Sequence, residues 1–191
     1  MEMDININKP DLDSPNHTTN EIDSLNTEPP VVMNFQLMNL LEDELKDIYW
    51  SEKIIAKSLS KMIERATSHV LIEALEIHLV EKEIHIKRVE NAFELIEKDP
   101  VEKKCKAIAS LIEENEEIVA LCASGKTCDT AIISARKKVE QYEIGIYRTL
   151  HRFVENLGLK DVASILKKTL NEEIAIDNKL TEIAASFNLI I

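Results

Sequence analysis

Seven side chains in this sequence have the chemistry of a buried cation site: Glu52, His78, Glu81, His85, Glu140, Glu143 and Glu173. At alternating steps of three and four, Met38, Leu41, Leu45, Ile48, Glu52, Ile55, Leu59 and Met62 form one stripe, seven apolar residues and a single carboxylate. The same spacing gives Ile132, Arg136, Val139, Glu143, Ile146, Leu150, Phe153 and Leu157 further on. Near the end, with one step skipped at Leu166 or Ile165, it gives Val162, Thr169, Glu173, Ile176, Leu180, Ile183 and Phe187. Each stripe holds a glutamate near its middle. A carboxylate taken out of water without a partner is strongly disfavoured and tends to take up a proton. Three at matching depth ask for a shared counter-charge, and a bound cation is the simplest. The alternative for each is a place at a packing edge, reaching water.

A further stretch supplies His78, Glu81 and His85, which fall within about 60° of one another at about 100° per helical residue, beside a stripe of Leu71, Leu75, Val89 and Ile96. Histidine and carboxylate three apart on a bundle helix is the arrangement a di-metal carboxylate site uses. The order here is reversed, His78-x-x-Glu81 in place of Glu-x-x-His, and a histidine at such an edge also serves as a hydrogen-bonded structural residue. Lys82 lies at the same depth, where it either snorkels out or replaces a metal charge by pairing with Glu52. Glu140 precedes Glu143 by one turn, so the two could chelate the same pair of ions, and Glu172 and Asp177 stand near Glu173. Tyr49, Tyr142 and Tyr147 flank these positions as core residues with a hydroxyl to bond or as redox neighbours.

Positioning such residues requires long helices, and the composition favours them. The 191 residues are 45% hydrophobic with only three glycines and five prolines. Helical periodicity predicts a first helix over about 35–65, with Asn34 as N-cap, and a turn at Thr67-Ser68. A second helix runs to about Lys98, where Asp99-Pro100 ends it. A shorter helix covers about 102–123 and breaks at Ser124-Gly125, with Thr127 or Ser124 to cap the next helix. That helix runs over about 129–156; Gly158 suits a left-handed C′ position, Asp161 an N-cap, and a last helix extends to about Phe187. Short turns make two antiparallel hairpins, and the long segment between them crosses the bundle. The expected fold is therefore all-α: a ferritin-like antiparallel four-helix bundle with an additional crossover helix. In an antiparallel pair, positions at one level sum to twice the turn midpoint. A midpoint near 67 puts Glu52 level with position 82, and one near 158 puts Glu143 level with Glu173.

Residues 1–33 differ from the domain expected over 34–191. They hold four of the five prolines, many Asn, Ser and Thr, His17, and seven acids against one lysine, which predicts a disordered acidic tail. The net charge of −12 argues against nucleic acid as a partner. Cys105, Cys122 and Cys128 form no CxxC pair and leave an odd thiol, which points to a reducing, cytoplasmic setting. No apolar run approaches the ~20 residues of a membrane span.

The segments LEDELKDIYWSEKII (41–55), EIHLVEKEIHIKRVENAFELI (76–96), KKCKAIASLIEENEEI (103–118), KKVEQYEIGIYRTL (137–150) and KTLNEEIAIDNKLTEIA (168–184) resemble the ferritin-like YciF/YciE group of bacterial stress-associated proteins, long a domain of unknown function. The resemblance implies a homodimer, a di-iron or similar site on the seven residues named above, and expression under stress; Gln141 stands where relatives often have histidine. Ile77, Val80 and Ile144, apolar residues off the main stripes, fit a dimer. Three functions are open to such a chain. The first is a di-metal oxidase or peroxide-consuming oxidoreductase with two iron or manganese ions per chain. The second is a small metal-binding protein without turnover. The third is a non-catalytic stress or scaffold protein whose polar core is satisfied by Lys82, Arg136 and hydrogen bonds.

Overall fold

The computed structural model describes residues 30–187, and their helices are α1 (Pro30–Arg65), α2 (His69–Leu95), α3 (Lys106–Leu121), α4 (Lys126–Asn156) and α5 (Lys160–Ser186). No strand occurs among the described residues. The expected acidic tail lies, up to residue 29, outside them. Residues 30–33 belong to α1, so the helix begins a turn before the predicted cap at Asn34. Proline suits a first helical turn because its missing N–H would have no partner there.

The other helix ends differ from expectation for local reasons. Helix α2 stops at Leu95, since Glu97 adopts a left-handed φ of 58° and Lys98 N turns back to Phe93 O at 3.0 Å. Helix α3 starts four residues late because the segment before it is strapped along α1: Lys103 N donates to Lys46 O (3.2 Å), Lys103 Nζ reaches Asp43 (2.6 Å), and Lys53 reaches Glu102 (2.7 Å). Helix α4 begins at Lys126 with Gly125 as N-cap at φ 114°, so neither Ser124 nor Thr127 caps it. Asp129 turns instead to the start of α2, accepting from Thr67 N (2.7 Å), Thr67 Oγ1 (2.8 Å) and Ser68 N (3.1 Å). Gly158 takes the predicted left-handed position at φ 71°, whereas Leu159, not Asp161, is the N-cap of α5.

Four helices form a ring in which α1 packs on α2, α2 on α5, α5 on α4 and α4 on α1, while α3 lies across α1 and α4. The pairs Lys61–Glu116 and Arg65–Val119 make α3 parallel to α1; Lys138–Glu114 and Asn115–Ala135 make it antiparallel to α4. Helix α3 thus returns the chain to the end where α2 began, and α4 runs parallel to α2. That is a two-hairpin bundle with one crossover.

The core divides into two apolar clusters. One holds Ile55, Leu59, Leu71, Leu75, Ile132, Val139, Ile176 and Leu180; the other holds Leu45, Ile48, Val89, Phe93, Tyr147, Leu150, Leu166 and Leu170. Between them on every helix of the ring lie buried polar residues: Glu52 on α1, His78, Lys82 and His85 on α2, Arg136, Glu140 and Glu143 on α4, and Glu173 on α5. Ile144, expected off the main stripe, is buried in the second cluster.

Candidate metal centre

The buried line of α2 runs Leu71, Leu75, His78, Lys82, His85, Val89 and Phe93, in steps of four and three. That spacing keeps one face toward the bundle axis. It turns Lys82 inward and leaves Glu81 one position off the line, with its side chain 31% exposed and its carboxylate 3.3 Å from His78 Nδ1. The inward residue at Glu52's level is therefore Lys82, at the position the turn midpoint indicated, and Glu81, expected as a ligand within a turn of it, is not turned inward.

Lys82 sits among carboxylates from three helices. Its Nζ donates to Glu143 Oε1 (2.6 Å), Glu143 Oε2 (2.7 Å) and Glu173 Oε1 (2.8 Å), and lies 3.1 Å from Glu52 Oε2. Tyr147 donates its hydroxyl to Glu52 Oε1. His85 places Nδ1 2.9 Å from Glu173 Oε1 and 3.6 Å from Glu52 Oε1, while Nε2 meets Glu172 Oε2 at 2.7 Å. Arg88 holds Glu172 from the rim through both of its terminal nitrogens. One turn away, Arg136 donates to Glu140 Oε1 and lies 3.4 Å from His78 Nε2, which is itself 3.4 Å from Glu140 Oε1 and 3.9 Å from Glu173 Oε2.

These contacts set the charges. Burial opposes ionisation of Glu52, but Lys82 and His85, with the Tyr147 hydroxyl, hold it at about 2. Burial likewise disfavours the Glu140 anion, and Arg136 and His78 outweigh it, keeping that carboxyl well below the usual range. Glu143 is pushed up, first by burial and then by Glu173, Glu52 and Glu140, against the pull of Lys82. Burial lowers both histidines, yet Glu173 and Glu52 raise His85 to about 10, and Glu140 raises His78. The four fully buried carboxylates thus face Lys82 and Arg136; Glu143 is driven toward its protonated form, and without a metal the two histidines are drawn toward theirs by Glu140, Glu173 and Glu52.

Two groups have metal-ligand geometry. Glu52, His85 and Glu173 form one; His78, Glu140 and Glu173 form the other; in each, one ligand atom per residue lies within 4.8 Å of the rest. Glu173 belongs to both. Two buried carboxylate oxygens here, Glu140 Oε2 and Glu173 Oε2, have no hydrogen-bond partner, whereas Glu52 Oε2 faces Lys82 Nζ at 3.1 Å and His85 Nδ1 faces Glu173 Oε1 at 2.9 Å. Buried polar atoms normally find partners, and a cation would supply one. Carboxylate oxygens with imidazole nitrogen and no thiolate suit iron or manganese. The donor set therefore fits a divalent metal ion, a class that includes the iron and manganese expected from the sequence. Of the seven expected ligands, five enter these groups. Glu143 is engaged by Lys82 instead, and Glu81 stands at the rim. Gln141 is exposed and points away from the core, and Asp177 pairs with Lys137 at 2.8 Å. Glu172 reaches the centre through His85 and Arg88, a link that its place beside Glu173 suggested without the partners.

The YciF protein of Escherichia coli K12 is 37% identical over 141 residues, 73% of this chain and 85% of that protein. Its crystal structure, described as that of a stress protein, matches with a TM-score of 0.75 at 35% identity, covering 78% of this chain and 94% of that one. YcfI of Rhodopseudomonas palustris, provisionally described as a structural protein, matches with a TM-score of 0.74 at 39% identity over 76% of this chain and 92% of its own. A Xanthomonas campestris protein at 21% identity shares the fold, with a TM-score of 0.63. The profile of the family described as Domain of unknown function (DUF892) matches residues 36–188, and this chain belongs to that family.

Proposed function

We propose that this protein is a helical stress protein whose polar core binds a divalent transition metal, iron or manganese, through carboxylates and histidine. The observation that carries the reading is the pair of ligand groups meeting at Glu173, with buried carboxylate oxygens that no protein donor serves. When bound, such a metal supplies redox chemistry toward oxygen or peroxide. The chain's own residues bind the ion, exclude water between two apolar clusters, and fix the carboxylates through Lys82, Arg136 and Tyr147. The second reading, a structural bundle whose core is closed by its own ion pairs, is favoured by one feature: Lys82 already lies where a cation belongs. Protein purified without an affinity tag, analysed for metals and then tested for peroxide consumption before and after loading with iron or manganese, separates the two. An absence of bound metal after loading would leave only the structural reading.

A homodimer is part of this proposal. Helix α2 carries an outward stripe of Val70, Ile77, Val80 and Ile84, 53, 56, 59 and 41% exposed, in addition to its buried line. Apolar residues at heptad spacing on an outer face suit a matching helix of a second copy. No helix among the described residues is long and apolar enough to cross a membrane, and the free thiols of Cys105, Cys122 and Cys128 fit the cytoplasmic setting proposed for it.

A further inference from the structure

Within the polar layer, Lys82 has the surroundings of a bound ion rather than of a side chain seeking water. Four carboxylate oxygens from α1, α4 and α5 lie between 2.6 and 3.1 Å of its nitrogen. A lysine with a path to solvent keeps its ammonium wet; this one is fully buried and held from three sides. We infer that Lys82 takes the place of a second metal ion, so that the core binds one divalent ion per chain, at His78, Glu140 and Glu173, and not two. The inference rests on the reading of the core as a metal centre and restricts it.

Charge and free donor atoms both lead there. Lys82 already puts a positive charge against Glu52, Glu143 and Glu173. A divalent ion at the same place would stand beside that ammonium in a low-dielectric interior, where unpaired like charges are costly. At the Glu52, His85 and Glu173 group, Lys82 already lies against Glu173 Oε1 and Glu52 Oε2. At the other group, Arg136 holds Glu140 by Oε1 only, and Glu140 Oε2 and Glu173 Oε2 have no hydrogen-bond partner. Arg136 also lies 3.4 Å from His78 Nε2, so it must shift slightly for that nitrogen to serve as a ligand. A single ion held there by His78, Glu140 and Glu173 would supply one-electron redox chemistry.

Manganese(II) is the probe, counted by elemental analysis on refolding-competent, metal-stripped protein and examined by electron paramagnetic resonance. The expected result is one ion per wild-type chain with a mononuclear signal. Lys82→Met and Lys82→Gln should take two, with an exchange-coupled signal. Glu140→Gln should lose the wild-type ion, and Glu52→Gln should keep it. Two ions in the wild-type chain would overturn the inference while leaving the metal reading intact, and so would folded Lys82 variants that still hold one. If neither Lys82 variant folds, the wild-type count decides alone. No ion in the wild type would end the metal reading, and the inference with it.

Discussion

Tyr147 shares the task of holding Glu52 ionised, because Lys82 meets only the other oxygen of that carboxylate. Replacing Tyr147 with Phe should cost about 1.5–3 kcal/mol, the usual contribution of a hydrogen bond to a charged group, read from urea unfolding of metal-free protein. A loss under about half a kcal/mol would show that the hydroxyl is dispensable. Glu173 is the carboxylate both ligand groups need, so Glu173→Gln should abolish manganese binding altogether; retained binding would move the ion elsewhere. The same residues make the metal-free fold pH-dependent. His85 rises from 6.5 to about 10 on folding, so its contribution is complete below 6.5 and is lost as pH climbs toward 10. Glu52 falls from 4.5 to about 2, so its contribution is present above 4.5 and is lost as pH drops toward 2. The metal-free melting temperature should therefore peak between those limits and decline from neutral to alkaline pH, and a flat alkaline limb would show that His85 is not held as a cation. Most of these residues were legible, because a glutamate on an apolar stripe has few explanations. Lys82 was not. A long flexible side chain at the same depth reads equally well as snorkelling, and only its contacts show that it fills the gap between three glutamates.

Among the elements, the hairpin arithmetic carried further than the helix caps. Summing positions about a turn needs only the rise per residue, and it places Glu143 beside Glu173 and position 82 beside Glu52; the shared contacts with Lys82 match both pairings. Caps depend on which neighbour a side chain finds. Asp129, read as the start of α4, faces across to the turn between α1 and α2 and accepts three hydrogen bonds there. Asp129→Ala should destabilise the fold by about 0.5–2 kcal/mol, the range for losing a side-chain acceptor at a helix start, since Thr67 and Ser68 lose a buried acceptor. A change within experimental error in chemical unfolding would mean that water replaces the carboxylate at no cost. Glu97 likewise ends α2 in a conformation usually left to glycine, which no local pattern announced.

Across the whole molecule, two apolar clusters flank a charged layer, and the outer face of α2 carries a second apolar stripe. If that stripe joins two copies, changing both Ile77 and Val80 to Glu should give a monomer by light scattering with the helical content unchanged; a wild type already monomeric at 21.7 kDa would remove the basis for the dimer. The layer carries the larger claim, that a metal completes it. A ligand that binds only the folded chain stabilises it in proportion to the logarithm of its concentration over its dissociation constant, about 2.7 kcal/mol at a hundredfold excess. The direct measurement is the melting temperature of wild-type protein stripped of metal and then titrated with manganese(II) or, without oxygen, iron(II), with magnesium as a control. The account predicts a rise of several degrees that keeps growing with the logarithm of the concentration of either transition metal, and no such rise with magnesium. A melting temperature unchanged across all three ions would contradict it.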